Sequence, residues 1–152
     1  ILVLFNVCLY YKILKLIENF TLKNILVTGG AGFIGSHTCL ILLKKGFEIF
    51  VIDSFINSSA KSLERMLLIL KKEGLDLGNR IHIFQADLKN ESNIENLFKV
   101  ASDQNKSIEA VIHFAGLKSV SESINNPLLY WENNVKATLN LLKTMEKNNC
   151  RN

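Results

Sequence analysis

The run Asn24–Gly35, Asn-Ile-Leu-Val-Thr-Gly-Gly-Ala-Gly-Phe-Ile-Gly, constrains this chain more than any other stretch. Ile25, Leu26 and Val27 form a short apolar run with β preference. Glycines follow at 29, 30, 32 and 35, and Ser-His-Thr-Cys-Leu-Ile-Leu-Leu-Lys-Lys then reads as a helix. A glycine turn between a strand and a helix is the setting in which such a pattern carries meaning. Two spacings fit: Gly30-x-Gly32-x-x-Gly35 and Gly29-x-x-Gly32-x-x-Gly35. In both, one glycine permits a tight turn and one lets backbone approach a diphosphate. The last, Gly35, lets helix and strand pack closely. Unpaired N–H groups and the positive end of the helix dipole then face the phosphates. The alternative is a glycine-rich turn with no ligand.

The residues downstream favour the ligand. Phe47–Asp53 reads as a second strand ending in an acid. Asp53 follows Gly35 by 18 positions, about the interval at which a carboxylate takes the adenosine ribose hydroxyls of a dinucleotide. An acid there repels the extra phosphate of NADP, so the expected cofactor is NAD. Ser54–Ser59 is a polar loop, and Ser58 or Ser59 caps a helix running to about Glu73. Arg80–Asp87 is a third strand. Asp87, at its carboxyl end, either bonds the adenine amine or simply leads the next helix. Glu91–Asp103 carries Ile94, Leu97, Phe98 and Ala101 at helical spacing. Glu109–Ala115 is a continuous apolar strand, suited to a sheet covered on both faces, and His113 within it reads as a core histidine. Gly116–Ser123 is a loop at the crevice edge. Its one cation, Lys118, either contacts phosphate or ribose oxygens or stands in solvent. Asn126-Pro127 opens a long helix through Met145. Asn133 and Asn134 sit inside it against propensity, which suggests a task for them or else an exposed face. A fifth strand is expected to begin at Asn148–Asn152.

Four strands alternating with helices predict an α/β fold, a doubly wound parallel sheet of Rossmann type with strand order 3-2-1-4, incomplete at the C-terminus. At 152 residues and 48% hydrophobic content the chain can bury a real core. The net charge of +4 comes from scattered residues such as Lys44-Lys45 and Lys71-Lys72 near helix ends, which argues against nucleic acid. Cys8, Cys39 and Cys150 lack C-x-x-C spacing, so neither a disulfide framework nor zinc is expected. Free thiols point to a reducing, cytoplasmic compartment. The histidines His37, His82 and His113 have no metal-ligand spacing.

Ile1–Tyr11 is nearly all apolar, but shorter than the roughly 20 residues that span a bilayer, so no membrane span is expected. Its charges follow the apolar run, unlike a signal peptide. Ile13, Leu14, Leu16, Ile17 and Phe20 could form an amphipathic helix that touches a membrane surface. The preferred division is an extension over 1–23 and a partial dinucleotide-binding domain over 24–152.

These motifs, with Val-Ile-Asp-Ser-Phe-Ile-Asn-Ser-Ser, Val-Ile-His-Phe-Ala-Gly-Leu-Lys-Ser-Val-Ser-Glu-Ser and Tyr-Trp-Glu-Asn-Asn-Val, resemble the N-terminal part of the UDP-glucose 4-epimerase family of extended short-chain dehydrogenases/reductases. The resemblance covers about Lys23–Arg151. Its most specific segment is His-Phe-Ala-Gly-Leu-Lys; related dehydratases and decarboxylases usually carry an Ala-Ala or Leu-Ala type there, without this lysine. The resemblance implies an NAD site built from Gly29, Gly32, Phe33, Ile34 and Gly35 at the diphosphate turn. It implies Asp53, Ser54, Phe55, Ile56, Asn57 and Ser58 around the ribose, and Asp87 and Leu88 beside the adenine. Phe114, Ala115, Gly116, Leu117 and Lys118 would run along the nicotinamide half, with Asn133 supporting from the long helix. Phe33 stands where many members have Tyr, and Ser54 where many have Asn.

The resemblance also implies the reaction: interconversion of UDP-glucose and UDP-galactose by transient oxidation at C4, in a homodimer that pairs long helices. The family's base is a Tyr-x-x-x-Lys pair with a nearby Ser or Thr, and no catalytic residue of that set is expected here. Four residues after Tyr10 and Tyr130 stand Leu14 and Asn134. Tyr11–Lys15 has the spacing but precedes the first strand and reads as coincidence. Two rivals remain: another NAD-dependent nucleotide-sugar epimerase or dehydratase, and a non-catalytic NAD-binding fragment.

Overall fold

The computed structural model describes residues 23–152. The 1–22 stretch, with its amphipathic pattern, Cys8 and Tyr11–Lys15, lies outside the described residues. The sheet contains β1 (Asn24–Thr28), β2 (Glu48–Asp53), β3 (Ile81–Gln85) and β4 (Ala110–His113), all parallel, in the order β3-β2-β1-β4. Between them run α1 (Phe33–Lys44), α2 (Ala60–Lys72) and α3 (Glu91–Asp103). After β4 come α4 (Val120–Asn125), α5 (Pro127–Tyr130), a π-helical segment (Trp131–Lys136) and α6 (Ala137–Lys147). This is the expected Rossmann-type sheet in the expected strand order.

Strand periodicity builds two cores. Alternate side chains point to opposite faces. Ile25, Val27, Ile49 and Val51 face α1 and α2, where Cys39, Leu42, Leu43, Leu63, Met66 and Leu70 complete one buried cluster. Leu26, Phe50 and Ile52 face α3 and α6, where Ile94, Leu97, Phe98, Ala101, Ala137 and Leu141 complete the other. Ser59 caps α2 by accepting from Lys61 N, and Asn90 caps α3 by accepting from Ser92 N. Among the described residues no helix is long and apolar enough to cross a membrane.

Several local expectations are corrected. The stretch after Lys118 is not all loop: Ser119 caps the short α4, accepting from Glu122 N at 3.4 Å. Ser119-x-x-Glu122 has capping-box spacing, so a signal for this helix was present. The long helix is not uniform but loosens into a π segment over Trp131–Lys136. β3 stops at Gln85, and Asp87 lies two residues beyond it. His113 is not a core residue. It lies part-exposed at the carboxyl end of β4, and its ring reaches sideways, Nδ1 into the part-buried contact with Thr28 and Nε2 to Thr138. On the outer side of β4, Val111 N donates to Asn152 O at 3.0 Å, but among the described residues the sheet stops at four strands and Asn152 belongs to none of them.

At the amino-terminal end of the sheet, Glu48 accepts from His82 Nε2 at 2.6 Å and pairs with Lys106 Nζ at 2.5 Å. His82 also stacks on Phe50, with centroids 4.4 Å apart. Desolvation works to raise the Glu48 pKa, but the bonds and charges of Lys106 and His82 outweigh it and hold the carboxyl below its ordinary value. A depressed folded-state pKa contributes stability above the unfolded value, and that contribution is lost as pH falls through the folded value. Glu48→Gln is therefore expected to be less stable than the parent at neutral pH. The gap should close below the carboxylate range. Urea melts of both chains across that range check this.

Candidate functional site

Strand carboxyl ends in an open parallel sheet border a crevice. Here the crevice is a cleft of about 350 Å³ over the ends of β1, β2, β3 and β4. Its floor is the glycine turn. Gly29 sits at φ +65°, a region that side chains disfavour, and its N–H bonds Ile52 O at 2.9 Å. Gly32 N then bonds Gly29 O at 3.1 Å, and Gly32 is the N-cap of α1. A Cβ on Gly35 would stand 2.2 Å from Gly29 O, so helix and turn touch as backbone on backbone. A Cβ on Gly32 would meet only Gly29 O, at 3.2 Å. Protein packing leaves space at Gly32, and that space belongs to the cleft.

The first N–H groups of α1 lack intrahelical partners, and no acid in the first turn offsets the dipole. This end of the cleft therefore suits an anion. Phe33, 76% exposed, lies over it and tilts against His37. Beneath, Cys39 packs near Gly30, and burial pushes its thiol up to about 12, so it is packing and not a nucleophile.

Asp53 stands at the end of β2, only 7% exposed. One carboxylate oxygen accepts from Ala31 N at 2.9 Å. The other accepts from Phe55 N at 2.9 Å and Ser58 Oγ at 2.8 Å. The same acid that faces the cleft thus ties the glycine turn to the loop after β2. Ser62 Oγ adds a bond to Ala31 O at 2.5 Å.

Gly29, Gly32, Phe33, Ile34, Gly35, Asp53, Ser54, Ile56, Asn57, Ser58, Asp87, Leu88, Phe114, Ala115, Gly116, Leu117, Lys118 and Asn133 all line this one cleft. Phe55 does not. Its backbone adopts φ +57°, and its side chain packs on the core facing α1 and α2. Asp87 borders the cleft and also turns the chain, accepting from Lys89 N at 2.9 Å. Ile52, Ala86 and Ala137 line the cleft as well and went unnamed in the sequence. Ala137, one helical turn after Asn133, was the one that spacing could have supplied.

The two misplaced asparagines act differently. Asn133 lines the cleft and bonds back to Leu129 O at 2.8 Å. Asn134 grips the Leu117 backbone twice, accepting from its N–H at 2.8 Å and donating to its C=O at 3.0 Å. Tyr130 Oη donates to Glu122 at 2.8 Å, and desolvation and that bond raise its pKa.

A glycine turn at a helix N-terminus, an acid one strand over and a long cleft across the strand ends define an α/β domain of Rossmann type, with its cleft where such folds take their ligands. The chain belongs to the family described as GDP-mannose 4,6 dehydratase, whose model matches residues 26–152. It is 46% identical over 129 residues to the bifunctional UDP-glucose 4-epimerase and UDP-xylose 4-epimerase 3 of Arabidopsis thaliana, a match covering 85% of this chain and 34% of that protein. It is 46% identical to the UDP-glucose 4-epimerase of Bacillus subtilis, covering 81% of this chain and 33% of that one. The UDP-glucose 4-epimerase structure from Bifidobacterium longum, in complex with NAD+ and UDP, superposes with a TM-score of 0.70 at 39% identity. That superposition covers 85% of this chain and 35% of the other. The chain thus spans about a third of the length of the relatives it matches.

Proposed function

We propose that this chain is the NAD-binding N-terminal part of a UDP-glucose 4-epimerase, with residues 24–152 the partial domain and 1–23 an extension. The observation that carries the cofactor is Gly32. A side chain there would stand in open cleft beside the first N–H groups of α1, where a diphosphate needs that space. The N–H groups of Phe33, Ile34 and Gly35 would hold the diphosphate, and Asp53 would accept from the adenosine ribose. Asp87 and Leu88 would flank the adenine. Phe114–Lys118, pinned by Asn134, would border the nicotinamide half, with Asn133 beside it.

Bound there, NAD supplies a reversible hydride acceptor for C4 of a nucleotide sugar. This chain's share is to bind and orient the cofactor; the base and the sugar-nucleotide pocket are assigned to the rest of the protein. The epimerase reading is favoured over a dehydratase by the His113–Lys118 segment and by the epimerase relatives. Leu128, Trp131, Leu139 and Leu142, all exposed on the last helical stretch, support a homodimer of the complete protein. A reducing, cytoplasmic setting fits the free Cys39 and Cys150.

The test has two arms. The chain itself should bind NAD in a fluorescence or calorimetric titration. The protein encoded by the complete reading frame should carry Tyr-x-x-x-Lys and convert UDP-galactose to UDP-glucose. Turnover of UDP-xylose alone would move the assignment to another sugar nucleotide. No affinity for NAD in either form would overturn the reading.

A further inference from the structure

His113 lies outside the set of residues assigned to the cofactor, yet both its ring nitrogens are engaged. Nδ1 is 2.6 Å from Thr28 Oγ1, and Nε2 is 3.0 Å from Thr138 Oγ1. The two hydroxyls fix the proton. Thr28 Oγ1 already accepts from Ala115 N at 3.2 Å and shares Phe114 N, also at 3.2 Å, with the Thr28 carbonyl, which takes that N–H at 3.0 Å. A hydroxyl oxygen has two lone pairs and one proton, so that proton points to His113 Nδ1. Thr138 spends its own proton on Asn134 O, at 2.5 Å. Its oxygen therefore accepts, and His113 must donate from Nε2. The ring is neutral and protonated at Nε2 only. Its partial burial, which lowers its pKa, acts in the same direction.

We propose that His113 is a positioning residue: in this one tautomer it ties the end of β1 to the π-helical segment and so holds Asn134 against Leu117 on the nicotinamide side of the cleft. The chain of contacts is continuous. Thr28 closes β1 immediately before Gly29. Thr138 opens α6 just after the π segment. Asn134 between them makes two bonds to the Leu117 backbone. Adding a proton at Nδ1 would set N–H against the Thr28 O–H that points at it, on an oxygen already approached by the Phe114 and Ala115 N–H groups. The other neutral tautomer would set it there too, and would leave Nε2 facing an oxygen with no proton to give.

The link from His113 to the loop stands on these contacts alone. Only its effect on affinity rests on the NAD reading. Nitrogen-15 spectra of the ligand-free chain near neutral pH, with His113 assigned by its loss in His113→Gln, should show a protonated Nε2 and an unprotonated Nδ1. A protonated Nδ1, or an averaged signal, overturns the proposal. Thr138→Val removes the link while keeping shape, and Thr138→Ser restores it. The valine variant should speed amide exchange at Leu117 and weaken NAD about 3- to 10-fold, the scale of one net hydrogen bond, while serine stays close to the parent. Unchanged Leu117 exchange in the valine variant overturns the proposal. So does a serine variant as impaired as the valine one. If the unmodified chain binds no NAD, the cofactor reading fails. The tautomer and the Leu117 exchange still decide the role of His113.

Discussion

Gly32→Val is expected to cost the chain its dinucleotide affinity and almost none of its stability. Gly32 has φ −69° and ψ 172°, backbone that any residue adopts, at an N-cap where no side chain bonds. The added Cβ meets one atom, Gly29 O at 3.2 Å, which a small local shift relieves. The fold should lose no more than about 1 kcal/mol, the range of ordinary substitutions. The valine methyls, however, occupy the approach to the N–H groups of α1. A diphosphate kept from those groups forfeits several charge-assisted hydrogen bonds, so NAD affinity should fall by about 100-fold or more. Thermal melts and an NAD titration on the same preparation check both halves. Gly35→Ala is the contrast, because its Cβ would lie 2.2 Å from Gly29 O and the turn itself must break. A Gly32→Val chain that binds NAD as the parent does removes the glycine turn from the site.

Asp53→Ala should fail in two ways at once. The carboxylate accepts three bonds, from Ala31 N, Phe55 N and Ser58 Oγ. Removing it leaves the Ala31 N–H buried without an acceptor and frees the loop after β2. The expected loss is about 2–4 kcal/mol of stability, the combined scale of lost charge-assisted bonds and a stranded donor. The second effect concerns selection. Without that negative charge at the ribose, repulsion of a 2′-phosphate weakens, so NAD should weaken and discrimination against NADP should shrink. Urea denaturation measures the first effect; parallel NAD and NADP titrations measure the second. Asp53→Asn separates them, since it keeps the volume and one acceptor oxygen but removes the charge. If neither cofactor preference nor affinity changes in either variant, Asp53 serves the fold alone.

What could be read from residue order was what repeats or what has a rigid backbone requirement. Ile25, Val27, Ile49 and Val51 alternate with Leu26, Phe50 and Ile52, and that alternation is the two-faced sheet. The glycine turn was legible because side chains at 29 and 35 would collide with backbone. Features set by contacts between distant residues were not legible. Phe55 lies among residues that belong to the loop after β2, yet a positive φ turns it into the core. His113 sits in an apolar run that predicts burial, but at the strand's end two threonines, 85 and 25 positions away, draw its ring aside. The π segment has no sequence period to announce it. Asn133 and Asn134 hinted at a task through poor propensity. Which of them faces the cleft and which grips Leu117 depended on how that segment is wound.

The way the chain enters the sheet has a practical result. Glu109 accepts from the main-chain N–H groups of Lys23 and Asn24 at 2.5 and 2.9 Å, which pins the start of β1. The glycine turn lies at the strand's other end, roughly 17 Å away at the usual rise per residue. A tether, dye or partner domain fused ahead of Lys23 would thus leave from the pole opposite the opening. Chains anchored to a sensor surface by that route would present their mouths to the flowing solution.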